Sequence, residues 1–73
     1  HRVQERLQNL LQILKGEIGE TVPQGTRLSV RFTHEEIASA CCTTRVTITR
    51  LMGILEQLCL ISFDSKNHII LKD

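Results

Sequence analysis

Along the first eighteen residues the apolar positions Val3, Leu7, Leu10, Leu11, Leu14 and Ile18 recur at helical spacing. Polar residues Arg2, Gln4, Glu5, Gln8, Asn9 and Gln12 fill the other faces. At about 100° per residue this is an apolar stripe down one side of a helix. The pattern predicts a helix over 2–15 that fades at Gly16 and Gly19, since glycine favours helix ends. Residues 19–25 carry Pro23 and read as a loop. Next, Arg27-Leu28-Ser29-Val30-Arg31-Phe32 alternates polar and apolar, the period of a half-buried strand.

A second helix is predicted to open at Thr33. Thr33-His34-Glu35-Glu36 has the spacing of a capping box. In such a box the threonine hydroxyl accepts the Glu36 amide, while the Glu36 carboxylate reaches back to the Thr33 amide. Ile37, Ala38 and Cys41 supply its buried side. The break at Cys42-Thr43-Thr44 lacks Gly and Pro, but Thr44 is a natural N-cap for a third helix over 45–58. There, Ile48, Leu51, Met52 and Leu55 fall on one face, and Val46, Thr49, Arg50 and Gly53 on the other. Arg50 is the one long charged residue on the second face, fewer than usually solubilise an exposed helix. Gly53 costs about 1 kcal/mol against alanine in a helix, a cost explained by close approach of another surface. That surface is either an external partner or a neighbouring helix of the same domain.

Beyond that helix, Leu60-Ile61-Ser62-Phe63 and His68-Ile69-Ile70-Leu71-Lys72 flank the polar Asp64-Ser65-Lys66-Asn67. This reads as a hairpin. The predicted fold is α+β: three helices, a short strand before the helix pair, and a C-terminal β-hairpin, the architecture of a winged helix-turn-helix. Two short helices joined by a tight turn can place the second in the major groove of duplex DNA, where its first residues reach base edges. Arginine and small hydroxyl side chains there suit guanine edges and phosphates. The hairpin tip offers Lys66 to a phosphate; His68 reads better as a bystander.

Composition narrows this picture. Seventy-three residues, 41% of them hydrophobic, suit one small globular domain. The only aromatic residues are Phe32 and Phe63, which argues against single-strand binding through stacked bases. A net charge of +1 is low for a DNA binder, but its distribution is telling. From Ile37 to Leu55 there is no acidic residue, and Arg45 and Arg50 lie inside that stretch. The alternative is an ordinary mixed surface with a chance gap.

Cys41, Cys42 and Cys59 match no zinc or iron–sulfur spacing. An odd count suits a reducing compartment. Cys41 and Cys59 are expected to serve as small buried apolar residues. No nucleophile–base pair or phosphate-binding glycine loop points to an enzyme, and neither cofactor nor metal is expected.

Three stretches together resemble the C-terminal winged helix-turn-helix domain of the Crp/Fnr family of transcription regulators. They are Thr33-His34-Glu35-Glu36-Ile37-Ala38, then Thr44-Arg45-Val46-Thr47-Ile48-Thr49-Arg50-Leu51, then Leu58-Cys59-Leu60-Ile61. The first helix and the hairpin also fit, so the resemblance spans the whole chain. The run from Thr44 to Arg50 is most similar to the nitrogen-control branch, the global nitrogen regulators of cyanobacteria and some algal plastids.

The resemblance implies roles position by position. Arg45 and Arg50 match base-reading arginines. Val46 stands where many members carry a glutamate that accepts from cytosine N4, which valine cannot do. The implied half-site is therefore the GTA type of the nitrogen branch. Thr44 and Thr47 match hydroxyl residues on phosphates, and Thr33 a position beside the backbone. Cys42 replaces the usual turn glycine and is expected to strain the turn or force another conformation, which would alter the angle between the helices.

Members of the family also carry an N-terminal effector domain and a long dimerisation helix. The chain, which starts at His1, is accordingly expected to be a fragment: one DNA-binding domain over 1–73 that forms a homodimer through the absent helix. Loop 19–25 matches a region some members use to touch RNA polymerase. The implied setting is a bacterial cytoplasm or a plastid stroma. The competing reading is a winged helix used only for protein–protein contact, which needs no arginines on its third helix.

Overall fold

The computed structural model of the chain describes residues 2–72. Its elements are α1 (Val3–Ile18), β1 (Gly19–Val22), β2 (Gly25–Leu28), α2 (His34–Ala40), α3 (Arg45–Gln57), β3 (Ile61–Phe63) and β4 (Ile69–Leu71). The α+β architecture is the expected one: three helices, a strand before the helix pair and a C-terminal hairpin. All four strands join one antiparallel sheet in the order β1-β2-β4-β3. The wing (β3 and β4) is thereby continuous with a second hairpin (β1 and β2) that precedes the helix pair.

That second hairpin corrects the reading of residues 19–25 as a loop. β1 pairs with β2 from Gly19↔Leu28 to Val22↔Gly25, leaving Pro23 and Gln24 as the turn. Proline suits the first turn position because its φ is already set. Gly25 is required: its φ is +144, and a Cβ there would lie 2.2 Å from the Leu71 carbonyl oxygen of β4. The alternating segment 27–32 is strand only through Leu28. Beyond it the Ser29 amide donates to the Ile18 carbonyl at 2.9 Å, and the chain leaves the sheet with Val30 exposed.

Helix α1 also runs one turn past its expected end. It continues through Gly16, where a Cβ would meet nothing, so the glycine costs propensity without breaking the helix. Ile18 in that last turn packs against the core, which holds the turn in place.

One apolar cluster unites the elements. Leu7 and Leu11 of α1, Leu28 of β2, Ile37, Ala38 and Cys41 around α2, and Ile48, Leu51, Met52 and Leu55 of α3 meet Ile61, Ile69 and Leu71 of the wing strands. Cys41 is a small apolar member of this core, and burial pushes its thiol pKa up. Cys59, expected to behave likewise, is exposed. It occupies a left-handed position just past α3 (φ 60), outside the face that α3 buries. None of the described helices is long and apolar enough to cross a membrane.

Candidate nucleic-acid interface

The helix pair is built by its caps. At the start of α2 the Glu36 amide donates to the Thr33 hydroxyl at 3.1 Å, and the Thr33 amide donates to Glu36 Oε1 at 2.8 Å. The capping box is formed as its spacing implied. The backbone hydrogen bond from Thr33, then that from its hydroxyl, hold the Glu36 carboxyl below its usual pKa.

At the other end of α2 the Thr43 amide bonds the Ala38 carbonyl at 2.9 Å and the Cys42 amide bonds the Ser39 carbonyl at 3.3 Å. This double bond pattern needs a left-handed residue between the helices. Cys42 adopts it, with φ 55. Of the two outcomes expected for a cysteine here, the turn keeps the glycine-like conformation and carries the strain. Arg6 of α1 braces the same turn by donating from Nε to the Cys41 carbonyl at 3.0 Å. The turn after α3 repeats the arrangement: the Leu60 amide bonds Leu55 and the Cys59 amide bonds Glu56, each at 3.0 Å.

Thr44 then caps α3, accepting the Thr47 amide at 3.2 Å, and its hydroxyl lies 3.0 Å from that of Thr47. One hydroxyl proton is shared within this pair. The other remains for an outside acceptor.

The two faces of α3 are as the periodicity set them. Ile48, Leu51, Met52 and Leu55 are buried, while Arg45, Thr49, Arg50 and Gly53 are exposed and Val46 is 72% exposed. Arg45, Val46, Thr49 and Arg50 together line one shallow depression on the outer surface. Among the described residues neither Arg45 nor Arg50 forms an ion pair. A Cβ on Gly53 would meet nothing within 4 Å. No neighbouring helix of this domain therefore explains the glycine.

The wing is held from below. Asp64 accepts the amides of Lys66 at 2.9 Å and His68 at 2.8 Å on one oxygen, and Arg27 Nε at 2.6 Å on the other. Arg27 also donates to Glu20 at 2.8 Å. Arg27 first, then the His68 amide, lower the Asp64 pKa to about 2. Lys66 is exposed at the tip. His68 points back into the sheet, its Nδ1 donating to the Leu28 carbonyl at 3.0 Å, which agrees with a bystander.

Two features escaped the sequence reading. Arg31, Phe32, Thr33 and His34 face Phe63 and Asn67 across a cleft between the start of α2 and the wing tip. In addition, His34 Nδ1 lies 2.8 Å from the Thr49 hydroxyl of α3. The helical period had already placed Thr49 on the outer face. Nothing in a separation of fifteen residues announces its partner.

The chain is similar to known proteins in sequence and in fold. The Crp-like helix-turn-helix domain matches residues 2–73. The global nitrogen regulator of Synechocystis sp. is 41% identical over 61 residues, covering 84% of this chain and 27% of that protein. The global nitrogen regulator of Nostoc sp. is 36% identical over 67 residues, covering 92% of this chain and 30% of that protein. The chain thus spans less than a third of these relatives. Among solved structures, a mutant of CooA from Carboxydothermus hydrogenoformans superimposes with a TM-score of 0.89 at 29% identity, over 99% of this chain and 33% of that one. A CRP-family transcriptional regulator from Thermus thermophilus shares the fold, with a TM-score of 0.84 at 24% identity, over 100% of this chain and 36% of that one.

Proposed function

The chain belongs to the Crp-like helix-turn-helix domain family, and from that premise we propose that it reads a specific sequence of double-stranded DNA through α3. The observation that carries this reading is the outer face of α3, where two arginines with no acidic partner among the described residues flank an exposed valine while the opposite face is buried in the core. In the major groove Arg45 and Arg50 donate to guanine O6 and N7, and Val46 meets a thymine methyl. Thr33, Thr44, Thr47 and Lys66 fix register on phosphates. The hydroxyl chemistry supports the contacts at the start of α3: the Thr44–Thr47 pair keeps one proton to donate.

Residues 1–73 form one DNA-binding domain of a longer regulator in this reading, with an effector domain and dimerisation helix elsewhere in the protein. Two copies of α3, about 34–36 Å apart, read a two-fold site as a homodimer. The likeness to two global nitrogen regulators and the valine at position 46 favour the nitrogen branch and a GTA half-site. A bacterial cytoplasm or a plastid stroma is the matching setting. The exposed hairpin around Glu20 and Gln24 is the surface offered to RNA polymerase; unchanged transcription activation after substituting both would remove that contact from the reading.

The decisive experiment is a salt titration of the chain, fused to a dimerising coiled coil, on a GTA-N8-TAC palindrome and a scrambled duplex. Preference for the palindrome, with a steep salt slope on both, is the expected result. Equal affinity would contradict specific reading. No binding at low salt would replace DNA by a protein partner.

A further inference from the structure

We propose that His34 decides which bases Thr49 can read, by fixing the direction of the Thr49 hydroxyl on the groove side of α3. The inference rests on the DNA reading above and adds a specificity residue to it. Thr49 shares its surface depression with Arg45, Val46 and Arg50, so in that reading its hydroxyl lies at base level. A threonine hydroxyl has one donor proton and two acceptor lone pairs. Left to rotate, it accepts either a donor or an acceptor on a base edge and discriminates poorly.

Here rotation is restricted by the 2.8 Å contact with His34 Nδ1. A neutral imidazole carries its single proton on one nitrogen, and the contact made by the other nitrogen selects which. His34 also lines the cleft with Arg31, Thr33 and Asn67, where the DNA backbone passes in the proposed complex. A phosphate oxygen can only accept, which favours the proton on Nε2. Nδ1 is then an acceptor, and the Thr49 proton points at it. What Thr49 turns to the groove is lone pairs alone. Lone pairs meet exocyclic amino groups, adenine N6 or cytosine N4, and reject guanine O6 and N7 and thymine O4. One ring thereby links backbone contact to base choice.

The same coiled-coil fusion serves as the probe, with duplexes that replace each pair of the half-site in turn. Wild type is expected to favour an amino-bearing base at one pair beside those read by the arginines. The margin is about three- to tenfold, the range of one net hydrogen bond. Thr49→Val, which keeps shape and removes the hydroxyl, should erase that preference and leave those of Arg45 and Arg50. His34→Ala should erase it too, and the double variant should lose nothing further. Thr49→Ser and His34→Asn, which restore a hydroxyl and an amide acceptor, should retain it.

Thermal melting identifies any variant that fails to fold; if His34→Ala does, the His34→Asn and Thr49→Val pair still answers. An unchanged base pattern in Thr49→Val overturns the proposal, as does His34→Ala weakening every duplex by one factor with the pattern intact. Both results would leave the arginine preferences, and so the parent reading, standing. A wild type without any base preference would sink both.

Discussion

Arg27 and Arg50 carry the same guanidinium and meet opposite surroundings. Arg27 on β2 is half-buried, with Asp64 at 2.6 Å and Glu20 at 2.8 Å. Arg50 on α3 is exposed in a stretch without acidic residues and has no ion pair among the described residues. Surface ion pairs contribute little stability one by one. The role of the Arg27 cluster is geometric, since it joins β1, β2 and the wing turn in one position. The sheet satisfies its charges internally, whereas α3 leaves its charges for something outside. An arginine on a helix whose other face is buried cannot turn away from whatever docks there.

Substitutions can break this contrast, and the largest effect is expected at Arg50. Arg50→Ala should cost about 1–3 kcal/mol on the specific duplex and relax preference at one base pair, with the melting temperature unchanged. Equal losses on specific and scrambled DNA would refute base reading.

The turn is the next test, because it should belong to the inward-facing part of the molecule. Cys42→Gly removes a left-handed cysteine and should stabilise the fold by about 1 kcal/mol, measured by urea unfolding, with base preference retained. An altered preference would place the turn in the interface. Gly53→Ala probes the outward side with opposite signs. It should also stabilise by about 1 kcal/mol, yet weaken DNA binding if a groove wall approaches where the Cβ now meets nothing. A gain in stability without loss of binding would remove close approach as the reason for the glycine.

Lys66→Ala is expected to be milder. It should weaken all duplexes alike and flatten the salt slope by about one contact. The smallest effect is in acid and concerns the sheet. Asp64 has its pKa lowered from 3.8 to about 2 in the fold, so its contribution is complete above the unfolded value and fades as the pH falls towards 2. Glu36, also lowered, acts in the same direction. Melting temperature should therefore decline between pH 4 and 2, and Arg27→Ala should make that decline shallower. An identical acid profile in the variant would mean that the cluster is not what lowers Asp64.

The helix pair was legible in the chain because its signals are local. Caps lie within four residues of what they cap, and a 3.6-residue period sorts Ile48, Leu51, Met52 and Leu55 from Val46, Thr49 and Arg50 without knowledge of any neighbour. The first hairpin was not legible. β1 is exposed along three of its four residues, so it has no alternation to betray it, and its strand character comes from pairing with β2. Cys59 misled for a related reason. Cysteine is apolar enough to be assigned to a core, but a left-handed position past a helix end turned it outward.

By itself, then, the sequence determined the secondary elements of the helix-turn-helix, the outward face of α3 and the family to which the chain belongs. These depend on interactions between residues a few positions apart. Only the tertiary structure decided that four strands make one sheet, that Arg27 buckles the wing through Asp64, and that His34 reaches Thr49. Each of these joins residues distant in the chain, and it is the closing of the common core that brings them within hydrogen-bonding distance.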